Sequence, residues 1–347
     1  MKRLNHSLKS FLIMLLAMII SISGVSGINS TSLLAATNLK VHFIDCGQGD
    51  AILFQYGSSN VLLDTGTESE YKSKVEPYIS DLGISKITSL IVSHPDADHM
   101  GGADLAIEDF NIQKVYMTTY ENSTMEYKEL IAAIETNQVK RVNVKKGSSI
   151  SIGRLKAKVF AADSKADDAN ASSIVFKLVH KKKSFLFTGD ATAEVENTVK
   201  KNYNINVDVL KVSHHGSSSA SPIAYLKEAS PKYSIISVGK DNDYGHPNKY
   251  VVNRLEKYSD NVLRTDEAGT IVITSNGTKL TCSTVKDTDS SKDSVQEKKT
   301  GSIIGNVNSK VYHEKGCSSL PAEKNRIYFD SAEEAEEAGY RACKRCH

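Results

Sequence analysis

Short apolar runs recur along the chain from about Asn38 to Lys286, each bounded by polar or glycine-containing turns. Val41–Ile44, Ala51–Phe54 and Asn60–Asp64 are rich in β-branched and aliphatic residues and predict strands. Tyr71–Leu82 and Tyr127–Thr136 predict helices, and Leu90–Ser93 predicts a short buried strand. Strands are expected again at Lys156–Phe160, Ile174–Val179, Phe185–Thr188, Val209–Val212, Tyr233–Val238 and Gly269–Thr274. Strand runs dominate both ends of this region and helices are interspersed without a regular βαβ period, so the fold class is α/β.

The two ends of the chain read differently. Lys2, Arg3 and Lys9 precede an unbroken apolar run from Phe11 to Ile20, and small residues lead to Ala35-Ala36. That is the layout of a secretory signal peptide, expected over residues 1–36. Ten apolar residues fall short of the roughly 20 that a spanning helix needs. The alternative is an uncleaved anchor reaching Val25, which would leave the protein attached to a membrane. Toward the other end, Asp287–Thr300 holds one apolar residue in fourteen and predicts a flexible linker. The expected layout is a signal peptide at 1–36, a catalytic domain at 37–286, a linker at 287–300 and a small Cys-containing module at 301–347.

Composition narrows the class without choosing a function. The 347 residues are 40% hydrophobic and 24% charged, values of an ordinary globular protein rather than a membrane bundle or a disordered chain. The formal charge is +2, and without Lys2, Arg3 and Lys9 the acids slightly outnumber the bases. No global basic field points to nucleic acid. The five cysteines are odd in number, and three fall near the C-terminus, which does not suggest a disulfide framework.

The chemistry concentrates in Ser93-His-Pro-Asp-Ala-Asp-His-Met-Gly-Gly102. His94, Asp96, Asp98 and His99 are four metal-binding side chains within six residues, directly after an apolar strand. A tight turn at a strand end can converge such groups, whereas a strand would send alternate ones to opposite faces. Pro95 disfavours a helical His94, and Gly101-Gly102 permits close backbone approach. Mixed imidazole and carboxylate ligands suit Zn²⁺ or Mn²⁺ better than Ca²⁺. The plainer reading, a solvated loop with chance acids and histidines, does not account for the density of ligands. Two later strands end the same way, Phe185–Thr188 in Gly189-Asp190 and Val209–Val212 in Ser213-His214-His215-Gly216. One sheet would bring these ends to a common edge.

The order HxDxDH, TGD, SHHGS resembles the metallo-β-lactamase-fold superfamily. Within it, Val41–Ala51, Val61–Gly66 and Tyr244-Gly-His-Pro247 are similar to the hydrolase domain of ComEC-type DNA-uptake proteins and their secreted relatives. The resemblance covers Leu39 to Cys282 and implies an αββα sandwich holding two divalent metals, Zn or Mn. By position it implies His94 and Asp96 on the first metal, Asp98 and His99 on the second, Asp190 bridging, and His214 or His215 as the last ligand, with His214 preferred. Asp96 departs from the commoner HxHxDH pattern, and no histidine stands clearly in the third motif. Asn170 lies nearer that place than His180 does. Both departures harden the site and make Mn²⁺ a rival to Zn²⁺.

Other residues are expected in supporting roles. Asp64 is read as a brace, Asp50 as shaping the Gly47–Asp50 turn or facing the cleft, and His42 as structural. Cys46 and Cys282 are expected as buried thiols. His246 is expected to contact a substrate phosphate or act as an acid, alongside Asp98 at the reacting centre. Two neighbouring cations lower the pKa of a bound water and clamp phosphoryl or acyl oxygens. With no GxxxxGK cradle and no Gly-x-Ser-x-Gly elbow in the sequence, activated water is the economical nucleophile.

In the C-terminal module, His313, Cys317, Cys343 and Cys346 supply four ligands within 47 residues. A segment so small rarely folds on its own core, and a structural Zn²⁺ would supply the missing stability, giving a zinc-stabilised α+β module. The alternative is a Cys343–Cys346 disulfide. Ser331–Gly339 predicts a helix ending at Gly339. The run Ala338–Cys346 resembles the zinc module of Ada-type DNA repair proteins, with His313 where that pattern has the methyl-accepting cysteine, so repair chemistry is not implied. DNA contact through Arg341, Lys344 and Arg345 is expected, although the module balances seven bases against seven acids.

The expectation is a secreted two-metal phosphodiesterase acting on DNA. An envelope or cell-wall phosphoester, phosphorylcholine for example, is the alternative substrate, and a non-catalytic metal-containing binding protein is a third reading. β-Lactam hydrolysis is disfavoured by Asp96 and by the missing third-motif histidine.

Overall fold

Ile52 and Phe54 point to one side of their strand and Leu53 to the other, and all three are fully buried. Side chains alternate along a strand, so this one must be covered on both faces. The same holds for Phe185 and Phe187 on one face of their strand and Leu186 on the other. Two such sheets, each buried on both sides, require four layers.

The computed structural model describes residues 37–285, 303–306, 308–317, 319–321, 325–329 and 331–346. The expected signal peptide and linker lie outside the described residues. Among those described, no helix is long and apolar enough to cross a membrane. The chain groups into two units, one within 37–285 and one within 303–346.

In the larger unit the strands are β1 Leu39–Phe43, β2 Ile52–Tyr56, β3 Ser59–Leu63, β4 Ser89–Ile91, β5 Lys114–Met117 and β6 Lys140–Asn143. They continue with β7 Ser149–Ile152, β8 Leu155–Ala161, β9 Val175–His180, β10 Lys183–Phe187, β11 Val209–Lys211, β12 Tyr233–Ile236 and β13 Asn261–Arg264, then β14 Thr270–Ser275 and β15 Leu280–Val285. The first sheet runs β15-β14-β1-β2-β3-β4-β5-β6 and the second β13-β12-β11-β10-β9-β8-β7. Strands β3 to β6 are mutually parallel, as are β10 to β13.

Between the sheets lies an apolar layer in which Phe187 meets Phe54 and Phe176, each with ring centroids 5.0 Å away. Full burial of one such ring contributes roughly 1.5–3 kcal/mol. Helices cover the outer faces: Tyr71, Val75, Ile79 and Leu130 pack on the first sheet, and Val199, Tyr225 and Leu255 on the second. The expected αββα order is the one observed.

Three expectations are corrected. The ligand-bearing strand ends do not belong to one sheet, since β4 lies in the first while β10 and β11 lie in the second. They meet where the C-terminal ends of two parallel blocks face each other. Nor is 94–99 one tight turn: Asp96 is extended and Ala97–Met100 forms a single helical turn. The helix expected at Tyr71–Leu82 begins earlier, at Glu68, where Thr67 accepts the Glu70 amide, and it passes through a π turn at Tyr71–Val75.

The smaller unit has strand order β18 Arg326–Phe329, β16 Ile303–Asn306, β17 Val311–Glu314 and β19 Arg341–Ala342, with one helix at Ala332–Glu337. Its core is Ile303, Tyr312, Phe329, Ala335 and Tyr340, too little apolar surface to hold so short a chain unaided.

Candidate metal centre

Three backbone devices aim the ligands. After β3, Asp64 takes φ 58°, and its carboxylate accepts from Ser93 N at 2.7 Å and Ser93 Oγ at 2.6 Å. This pins the chain between β4 and His94. Gly49 packs on the ligand-bearing helical turn so closely that an added Cβ would lie 2.1 Å from the Asp98 carbonyl oxygen, which leaves only glycine there. Finally, β11 leads into His214 and His215, both left-handed at φ 49° and 50°, with His214 N donating to Gly189 O at 3.1 Å. Two consecutive left-handed non-glycine residues carry strain that the surrounding structure must hold.

The side chains converge. Asp98, His99, Asp190 and His215 each offer a ligand atom, all within 4.8 Å of one another. His99 Nδ1 lies 2.9 Å from Asp64 Oδ2, and His215 Nδ1 donates to the Ser237 carbonyl at 2.8 Å. With both Nδ1 atoms so engaged, the two Nε2 atoms turn inward and stand 3.3 Å apart. Neutral rings in that state have no proton to share between them, and two lone pairs so close call for a cation.

Carboxylates surround this pair. His99 Nε2 is 3.2 Å from Asp190 Oδ1, and His215 Nε2 is 3.2 Å from Asp98 Oδ2 and 3.4 Å from Asp190 Oδ2. His94 and Asp96 face each other at 3.4 Å, and His214 Nε2 stands 3.7 Å from Asp190 Oδ2. His94 Nε2 and Asp190 Oδ1 are buried without a hydrogen-bond partner. A bound metal ion would satisfy both atoms.

The electrostatics agree. Burial opposes charge on His215, but the charge of Asp190, the hydrogen bonds that His215 gives to Asp190 and Asp98, and the charge of Asp50 together overcome it and raise its pKa to about 10. On His99 burial is likewise overcome by Asp190 and Asp98. Burial would raise the pKa of Asp190, yet His215 and His99 hold it well below the usual carboxylate range. Protons on the histidines thus balance the acids where divalent cations would otherwise do so, and the donor set fits such ions.

The remaining expected residues surround the cluster. Asp50 forms a buried ion pair with Lys211 at 2.8 Å, a partner that sequence reading missed because a lysine in a strand reads as solvated. Asp50, Asp64 and His99 also offer ligand atoms within 4.8 Å of each other. Asn170, Asp96, Asp98, Asp190, His214, His215 and His246 line a cleft of about 400 Å³ with Gln48, Thr124 and Tyr244. The His246 ring meets that of His214 edge-on at 5.5 Å. His42 is held by Tyr78 and Gln55, away from the site, and Cys46 is buried while Cys282 is only half-buried.

A profile of the Metallo-beta-lactamase superfamily matches residues 44–240, more than half of the sequence. The chain belongs to the metallo-beta-lactamase superfamily. The fold of that superfamily implies divalent metals at this site. ComE operon protein 3 of Bacillus subtilis is 32% identical over 67% of this chain and 32% of its own length. Competence protein ComA of Neisseria gonorrhoeae is 28% identical over 65% of this chain and 31% of its own length. This superfamily member therefore spans about a third of the curated relatives it matches. Among solved structures, the metallo-beta-lactamase fold protein YhfI of Bacillus subtilis aligns at 13% identity, covering 65% of this chain and 95% of that one with a TM-score of 0.45.

A second profile, the metal binding domain of Ada, matches residues 295–347. There His313, Cys317, Cys343 and Cys346 bring four ligand atoms within 4.8 Å. Cys343 and Cys346 form no disulfide. Ser319 Oγ, which the sequence did not single out, stands 3.2 Å from Cys317 Sγ and 3.5 Å from Cys343 Sγ. The superfamily domain is thus followed in the sequence by an Ada-like zinc-binding module. Arg341, Lys344 and Arg345 are exposed on that module.

Proposed function

We propose that the protein is an exported two-metal phosphodiesterase that cleaves DNA. The observation that carries the reading is the position of Asp190. Its Oδ1 faces His99, and its Oδ2 stands between His215 and His214, so this one carboxylate borders both the His99–His215 group and the His214 group. On one side we assign His94, Asp96 and His214, with Asn170 beside them. On the other we assign Asp98, His99 and His215, because the His215 Nε2 reaches Asp98 and His99 while His214 does not share that cluster. The hard, acid-rich set favours Mn²⁺ at least as well as Zn²⁺.

Bound there, two cations would supply an activated water and a clamp for phosphoryl oxygens. Asp64 and the Ser237 carbonyl fix the ring orientations of His99 and His215. His246 is kept below the usual histidine pKa by burial and then by His214 and His215, and its ring lines the cleft where it could donate a hydrogen bond to a phosphate. DNA is favoured over other phosphodiesters by the similarity to the ComEC-type hydrolase domain and by a relative named as a competence protein. The Ada-like module, with Arg341, Lys344 and Arg345 exposed, would help to hold the strand.

The test is metal-dependent cleavage of labelled single- and double-stranded DNA by residues 37–347, with Mn²⁺ or Zn²⁺, beside Asp98→Ala. Cleavage lost in the variant is expected. Absence of DNA cleavage, together with turnover of a phosphorylcholine ester, would replace the nuclease reading with an envelope phosphoesterase.

A further inference from the structure

Between β12 and the helix Lys249–Tyr258 the chain forms a loop that Asn242 locks from within. Its Nδ2 donates to Gly239 O at 2.9 Å and to His246 O at 2.6 Å, and its Oδ1 accepts from His246 N at 3.1 Å. Gly239 N donates in turn to Gln48 Oε1 at 3.3 Å. The loop is held in one shape and tied to the turn that precedes β2.

This loop presents Tyr244, which lines the metal cleft and is nevertheless 70% exposed. Its ring stacks on His246 with centroids 5.9 Å apart and 26° between the planes. His246 meets His214 edge-on at 5.5 Å, and His214 lies 3.7 Å from Asp190. Three rings thus lead from solvent to the shared carboxylate. Packing does not explain an aromatic side chain so exposed. A tyrosine loses little conformational freedom on binding, and held in a stiff loop it offers a broad contact surface at low entropic cost.

Resting on the nuclease reading above, we propose that Tyr244 is the base-stacking residue of the cleft. It receives a nucleobase flanking the scissile phosphodiester, and this seats the phosphate beside His214 and Asp190. Every base has a π face, so the contact selects for strands with accessible bases and not for a sequence. Bases stacked inside a duplex do not offer that face, and single strands or frayed ends are therefore the preferred substrate.

The experiment compares a single-stranded oligonucleotide with an abasic deoxyribose-phosphate oligomer of equal length, using the full chain with Mn²⁺. The proteins are the parent, Tyr244→Leu, Tyr244→Phe and Tyr244→Trp, with Asp98→Ala as the control for contaminating nuclease. Loss of stacking in Tyr244→Leu is expected to raise KM for the base-bearing strand by roughly five- to a hundred-fold. The rise on the base-bearing strand is expected to exceed any change on the abasic oligomer, so the ratio of KM values falls toward one, and the Phe and Trp variants keep the parental preference. An unchanged preference in Tyr244→Leu, or a Phe variant as defective as Leu, overturns the stacking role while leaving the nuclease reading intact. A parent inactive on both substrates overturns both.

Discussion

The Lys211 ammonium lies 2.8 Å from the Asp50 carboxylate, and both side chains are almost wholly withdrawn from solvent. The pair sits behind the metal cluster, with Asp50 Oδ1 3.6 Å from His215 Nδ1 and Asp50 Oδ2 3.9 Å from His99 Nδ1. Removing one partner strands the other charge in a medium that solvates it poorly. Lys211→Met is therefore expected to cost about 3–5 kcal/mol, and adding Asp50→Asn should restore part of that loss. Urea unfolding of the metal-free single and double variants measures both values.

Asp64 contacts the cluster only through His99 and the Ser93 backbone and hydroxyl. Asp64→Asn keeps the shape but weakens the hold on the His99 ring. Metal affinity, read by calorimetric titration of Mn²⁺, should fall by roughly 10- to 100-fold, the range for partners that orient a ligand. An affinity within two-fold of the parent would show that His99 is oriented by packing alone.

Glu196 is buried beneath the turn that carries His214 and His215, with Ser213 Oγ 2.7 Å from its Oε1 and Ser221 N donating to Oε2 at 2.6 Å. Burial raises its pKa to about 8, against the lowering pull of Ser213 and Ser221. The folded state thus keeps a proton that the unfolded chain releases near pH 4.5. Stability from this group is full below about 4.5 and is lost as pH climbs to 8, an effect on the order of a few kcal/mol. Glu196→Gln mimics the protonated form, so melts of the chelated protein between pH 5 and 8 should lose this slope.

Cys343→Ser should remove one equivalent of zinc per chain and leave Mn²⁺ binding at the other centre unchanged. Elemental analysis reads the first, and limited proteolysis should show the tail digested while the larger unit persists. A tail that resists protease after chelation would mean that its small core folds without metal.

The sequence made the ligands legible because they cluster: HPDADH, GD and SHH each stand at the end of an apolar run. The central strands were legible for the same reason, being nearly continuous in apolar residues. What escaped were the edge strands β6, β7, β13 and β15, and β5 beside one edge. Strand β6, Lys140-Arg-Val-Asn143, has no buried position, and β13 and β15 have none either, so no apolar pattern marks them. Lys211 escaped because charge in a strand ordinarily means solvent, and here a buried carboxylate answers it. The division of β4 from β10 and β11 between two sheets depends on pairings distant in sequence, which local pattern does not encode.

Strand β1 lies between β2 and β14, with Leu39 in register with both Tyr56 and Ser275. The seam between β1 and β14 therefore closes only when nearly the whole domain has been synthesised. Such long-range pairing makes folding slow and late, since loop closure precedes any return from the contacts. If the chain is exported as proposed, this delay would have a use, because the polypeptide could be threaded before its first strand has a partner on both sides. Threading and folding are then ordered in time by topology alone.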